Sequence, residues 1–212
     1  MGSPPLRGRA LWHIVYMLLF DAVVLWALFS WQYLDMLFSG EERRIEPLVN
    51  AIMVGIAILV ALWATVRIPP AWKDAIVFWR TRNGFSSRRA FSVLTQNDHR
   101  YRPEALQQKI GPFPEDPAAQ QALWDSLYRK YADVPMVRQM RGQFLLCYEI
   151  AAVSLLLIVP MLVLVAIRWS SQDVVLLGPG LLLGQYIMFV IAARFMGDDL
   201  VKAVLALETM RG

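Results

Sequence analysis

The chain has 212 residues, 57% of them hydrophobic and 18% charged, with a formal net charge of +4 and one cysteine. Soluble domains carry about 45–50% apolar and about 25% charged residues, so an ordinary soluble domain is excluded. One cysteine excludes an internal disulfide, and the apolar excess lies in runs, the mark of membrane spans rather than of one large core.

The first span is expected from about Leu11 to Leu37. Arg7 and Arg9 precede it, as in a signal peptide, but the apolar run is too long for a signal and lacks a small-residue cleavage site, so it reads as retained. A polar loop, Ser39 to Pro47, leads to a second span from Leu48 to about Val66, closed by Arg67 and by Pro69 and Pro70. A polar, basic segment follows from Pro69 to Gly142. The third span runs from about Phe144 to Ile167 with Pro160 inside it, and the fourth from Val174 to about Ala193. The tail carries an apolar stripe, Leu200, Val201, Val204, Leu205 and Leu207, expected to lie as a short amphipathic helix on the membrane or on the central segment.

Orientation follows from the basic residues. Twelve Lys or Arg fall between Lys73 and Arg141, and both tails are basic, whereas the two short loops hold only Arg43, Arg44 and Arg168. The expected protein is therefore all-α: four transmembrane helices with a small cytoplasmic helical domain inserted between the second and third, and both termini in the cytoplasm. Its divisions are 1–68 for the first hairpin, 69–142 for the cytoplasmic domain, 143–195 for the second hairpin and 196–212 for a cytoplasmic amphipathic tail. Arginine outnumbers lysine heavily, which suggests a GC-rich bacterial genome and hence a bacterial inner membrane.

Within the central segment, Trp72, Ile76, Phe78 and Trp79 recur at helical spacing, predicting a helix from Ala71 to about Asn83. Arg102-Pro103 opens a second helix that Gly111-Pro112 ends. Asp116 is a good N-cap and Pro117 a good first residue for a third, with an apolar face of Ala119, Leu123, Trp124, Leu127 and Tyr131. Asp133 can cap a fourth that runs on into the third span.

Four features are candidates for function. Arg80, Arg82, Arg88, Arg89, Arg100 and Arg102, interleaved with aromatic residues, suit anionic lipid first, a cytoplasmic protein partner second, and a nucleotide or nucleic acid least. Asp21, about 15 Å into the first span, is the leading intramembrane carboxylate, with Glu149 next and Arg194 closing the fourth span. Gly180 and Gly184 form a GxxxG motif, which lets helix backbones approach within the chain or between subunits. Ser154, Gln185 and Tyr186 are isolated polar residues whose default role is interhelical hydrogen bonding. Cys147, in an apolar run, reads as a small buried hydrophobe.

The sequence has no HExxH, no metal-spaced Cys or His pair, no GxSxG and no Walker loop, so neither catalysis nor a metal or other cofactor is expected. The segments WKDAIVFWRTRNGFSSRRAF and QQALWDSLYRKY, spanning Trp72 to Tyr131, resemble small bacterial four-span membrane proteins of the kind found in anti-phage defence systems. Where that group is expected to carry a P-L-P-G turn, this chain has Asn83-Gly84-Phe85-Ser86. The resemblance implies an oligomeric membrane sensor or effector. A passive anchor for a cytoplasmic partner and a small transporter are the alternatives.

Overall fold

A computed structural model describes residues 8–39, 45–79, 90–91, 103–168 and 177–210. Among these there is no strand; the ordered elements are helices α1 (Gly8–Ser39), α2 (Ile45–Arg67), α3 (Pro70–Phe78), α4 (Pro103–Ile110), α5 (Pro117–Tyr131), α6 (Pro135–Arg168) and α7 (Leu177–Met210). Three helical stretches are long and apolar enough to cross a membrane: Leu48–Arg67, Pro135–Ala166 and Leu177–Met210. On α1 the described apolar stretch is shorter, Ile14–Leu28. The protein is thus all-helical, with the helices of a multi-pass membrane protein.

The chain divides into two compact units, one of Met1–Ile68 with Glu149–Phe189, the other of Pro69–Tyr148 with Val190–Gly212. In the first, all four long helices share a core. Leu25 of α1, Val54, Ala57 and Ala61 of α2, Leu157, Met161 and Val165 of α6, and Leu182 of α7 are buried together. Val54, Ala57 and Ala61 recur at helical spacing, so one face of α2 is built of small side chains and approaches its neighbours closely. Its other face is apolar too, with Leu48, Ile52, Ile56, Leu59, Trp63 and Val66 all more than half exposed. A helix apolar all round belongs in protein interior or lipid. Arg67 closes α2 with its guanidinium 5.7 Å from the Trp63 ring, a pairing suited to the headgroup level.

The second unit has its own core. Ala90, Phe91, Leu106 of α4, Trp124, Leu127 and Tyr131 of α5, and Val137 of α6 are buried against Leu200, Val201, Val204, Leu205 and Ala206 of α7. The apolar stripe expected to form a separate short tail helix is therefore the continuation of α7. No proline interrupts the chain between Ala193 and Leu200, so the helix has no reason to stop.

Local signals explain the short elements. Asp116 Oδ2 accepts from Ala119 N at 2.9 Å, capping α5 behind Pro117. Gly111 ends α4 at φ +86, a conformation open to glycine. The expected face of α5 is buried at Trp124, Leu127 and Tyr131 and half-buried at Leu123; at its first turn Ala119 is exposed and Gln120 is buried instead, its carboxamide oxygen accepting from Phe91 N at 3.3 Å. The helix over the first residues of this unit ends at Phe78, five residues earlier than its periodicity predicts, with Trp79 left-handed at φ 54. Asp133 pairs with Arg138 at 3.1 Å, and α6 starts beside it at Pro135 and runs unbroken past Pro160.

Candidate functional site

A polar cluster of the first unit is assembled from three helices. α1 supplies Asp21, α6 supplies Ser154 and α7 supplies Gln185. Gln185 Nε2 donates to Asp21 Oδ2 and to Ser154 Oγ, both at 3.0 Å, and Ser154 Oγ donates back to Ile150 O at 2.9 Å. Asp21 is 6% exposed and Ser154 1%. Ile14, Met17 and Leu18 of α1 and Ile150 and Val153 of α6 wall the cleft around these groups, leaving room for about one water molecule.

The directions of these bonds define what the site offers. The Ser154 hydroxyl spends its proton on its own helix, so it can only accept from Gln185. That orients the carboxamide with its NH2 toward both partners. The carboxylate thus meets a neutral donor within apolar walls. A carboxylate within apolar walls is costly unless it is paired or hydrated.

The other intramembrane candidates lie elsewhere. Glu149 is half-buried on α6, one residue before Ile150, and does not line the cleft. Arg194 belongs to the second unit, where its Nε donates to Val77 O at 3.2 Å and its guanidinium lies 4.4 Å from the Trp79 ring centroid. It caps α3, an assignment that hydropathy could not suggest. Gly180 and Gly184 are exposed on α7, and a Cβ at either would meet nothing within 4 Å. Close packing of these glycines inside the chain is thus not seen among the described residues. Arg80, Arg82, Arg88, Arg89, Arg100 and Arg102 lie outside the described residues.

Sequence reasoning named Asp21, Ser154 and Gln185 but did not join them. Depth is the signal that could have done so. Asp21 and Ser154 each stand about 15 Å from the start of their expected spans, and Gln185 about 12 Å from the end of its own, at 1.5 Å per residue. In the expected four-span topology all three fall at one level.

A second polar cluster, in the other unit, closes the end of α7. Lys130 Nζ donates to Glu208 Oε1 and Oε2 at 2.9 and 2.8 Å, and the Tyr131 hydroxyl donates to Oε2 at 2.6 Å. Lys109 Nζ donates to the carbonyls of Glu208 and Thr209 at 3.2 and 2.6 Å, satisfying terminal groups that no helical amide reaches. Burial would raise the Glu208 carboxyl, but hydrogen bonds from Lys130 and Tyr131, and the charges of Lys130 and Lys109, hold it below its ordinary value. The bond to Glu208 raises Lys130; burial, and then the bond to Glu208, raises Tyr131. Among the described residues no group of three or more His, Cys, Asp or Glu could hold a metal ion.

Comparison with protein-family models, curated proteins and solved structures returns no match.

Proposed function

We propose that this chain is a non-enzymatic inner-membrane sensor or effector that works as a homo-oligomer in anti-phage defence. Its helical unit around α4 and α5 receives a cytoplasmic signal or partner, and its spans respond by changing assembly or permeability. The observation that carries this reading is the Asp21–Gln185–Ser154 cluster. Packing alone is served by neutral hydrogen bonds such as that of Gln185 with Ser154, whereas the Asp21 carboxyl on Gln185 adds a titratable group to the apolar unit.

Four spans and cytoplasmic termini support the same reading. The shared depth of Asp21, Ser154 and Gln185 is what a membrane-crossing α1 would produce, and the basic residues between Lys73 and Arg141 favour the cytoplasmic side. Anionic lipid headgroups are the first ligands for Arg80, Arg82, Arg88, Arg89, Arg100 and Arg102. The exposed Gly180 and Gly184 face is the contact between copies, since no described residue of its own chain comes close enough to use those missing side chains.

One observation favours the passive-anchor alternative. A cleft with space for about one water is no ion path by itself, so permeability by way of Asp21 requires copies to assemble or the cleft to open. Ion flux into liposomes decides between the readings. Flux that depends on assembly and changes in Asp21→Asn supports the effector; liposomes that stay tight under every activating condition leave only the anchor.

A further inference from the structure

Asp21 has one described hydrogen bond, from the neutral carboxamide of Gln185, and no described charged side chain lines its cleft. The titratable or charged positions nearest in sequence are His13 and Asp35 on α1, Glu46 and Arg67 on α2, Glu149 on α6 and Arg194 on α7. Of those whose side chains are described, Arg67 stacks on Trp63, Arg194 caps α3, and Glu149 does not line the cleft. Among the described residues none brings a positive charge to the carboxylate, which leaves that part to an occupant of the cleft.

We infer that the occupant is a proton, and that Asp21, Gln185 and Ser154 form a proton-binding site. This deepens the functional reading above and rests on its membrane-span placement. The bond directions distinguish a proton from a metal ion. A sodium or potassium ion needs several oxygen ligands converging on it, but Gln185 turns its NH2, not its oxygen, toward Asp21, and Ser154 Oγ is occupied by Gln185 and Ile150 O. A divalent ion takes about six or more oxygen ligands, and among the described residues the cleft brings only one carboxylate and one hydroxyl together. A proton needs only a free carboxyl oxygen, and the single water that the cleft admits can accept its hydrogen bond. The carboxamide then holds Oδ2 and leaves Oδ1 to exchange the proton.

The test uses the full chain in liposomes and dicyclohexylcarbodiimide, an apolar reagent that reacts with protonated carboxyls. The acid oxygen bonds to the central carbon while the acid proton passes to nitrogen, so the adduct gains the whole reagent. Mass spectrometry should find the adduct on Asp21. Its rate should fall about tenfold per pH unit above the midpoint of the group and ignore sodium and potassium. Infrared spectra should show an exchangeable carboxylic-acid carbonyl band lost in Asp21→Asn. Absence of the adduct from Asp21 at every pH, or its suppression by sodium at constant pH, overturns the inference. The wild-type protein alone gives this answer, whatever the folding of the variant. Labelled Asp21 in liposomes that pass no ions keeps the proton site and removes the permeability reading; flux without labelling does the reverse.

Discussion

The guanidinium of Arg194 lies 4.4 Å from the centroid of the Trp79 ring, and its Nε donates to the carbonyl of Val77 at 3.2 Å. One side chain thus caps α3 and holds the residue that ends it. Trp79 is the one described non-glycine residue with positive φ, a conformation that costs an L-residue about 1–2 kcal/mol. The cation–π contact and the capping bond together offset that cost, at roughly 1–3 kcal/mol. Arg194→Ala should lower the thermal midpoint in detergent accordingly. Trp79→Gly and Trp79→Ala lose the same ring contact, but only glycine is relaxed at φ 54, so the glycine variant should be more stable by about 1 kcal/mol. Equal midpoints would mean that Trp79 is not held left-handed.

The Glu208 cluster predicts opposite effects at the two ends of the pH scale. Glu208 is depressed in the folded chain, so its contribution is present above the carboxylate's ordinary value and lost as pH falls through the folded value. Tyr131 and Lys130 are raised, so theirs is present below their ordinary values and lost as pH rises through the folded ones. Unfolding midpoints should therefore be flat across the neutral range and fall at both extremes. Glu208→Gln should lower the neutral plateau and reduce the acid-side loss. Tyr131→Phe removes a donor to a charged acceptor and should cost about 1–3 kcal/mol at neutral pH.

Local chemistry made much of the fold readable. Asp116-Pro117, Arg102-Pro103 and Gly111-Pro112 mark the ends of α5 and α4, because caps and proline act over one turn. Periodicity also placed Trp124, Leu127 and Tyr131 on the buried face of α5, and what it could not show is the burial of Gln120 at the first turn. Gln120 displaces Ala119 from the interior because Phe91 N needs an acceptor, and that need is invisible along the helix itself. Likewise the charges around Asp198 and Asp199 resemble a boundary, yet α7 runs through them. Charge signals solvent or a partner and does not by itself stop a helix. Within the candidate site, Asp21 stood out by cost alone. Its partner Gln185 is neutral, and a neutral amide in a span carries no comparable warning.

Gly180 and Gly184 separate stability of the chain from its assembly. Alanine at either meets open space within the chain and gains helix propensity, about 1 kcal/mol each. The double variant Gly180→Ala/Gly184→Ala should melt no lower than the wild type. If the glycine face joins copies, Gly180→Leu/Gly184→Leu should reduce the particle mass in mild detergent to that of a single chain, again without a lower midpoint. Unchanged particle mass in the leucine variant would remove this face as the oligomer contact.

The Asp21 cluster predicts an asymmetry between its two ends. Asn at position 21 can still accept from Gln185 through its oxygen and no longer needs a compensating charge, so Asp21→Asn should leave stability unchanged or raise it. Gln185→Leu keeps apolar bulk but strips the donor from a carboxylate that is 6% exposed, which should cost about 1–3 kcal/mol. The double variant should recover part of that loss, because the asparagine left behind is neutral. The coupling is read from a thermodynamic cycle of the four proteins in one detergent. Strict additivity would mean that the bond across α1 and α7 is not formed in the folded protein. A destabilised Asp21→Asn would mean instead that the carboxylate is held by a charged partner on the chain rather than by a proton.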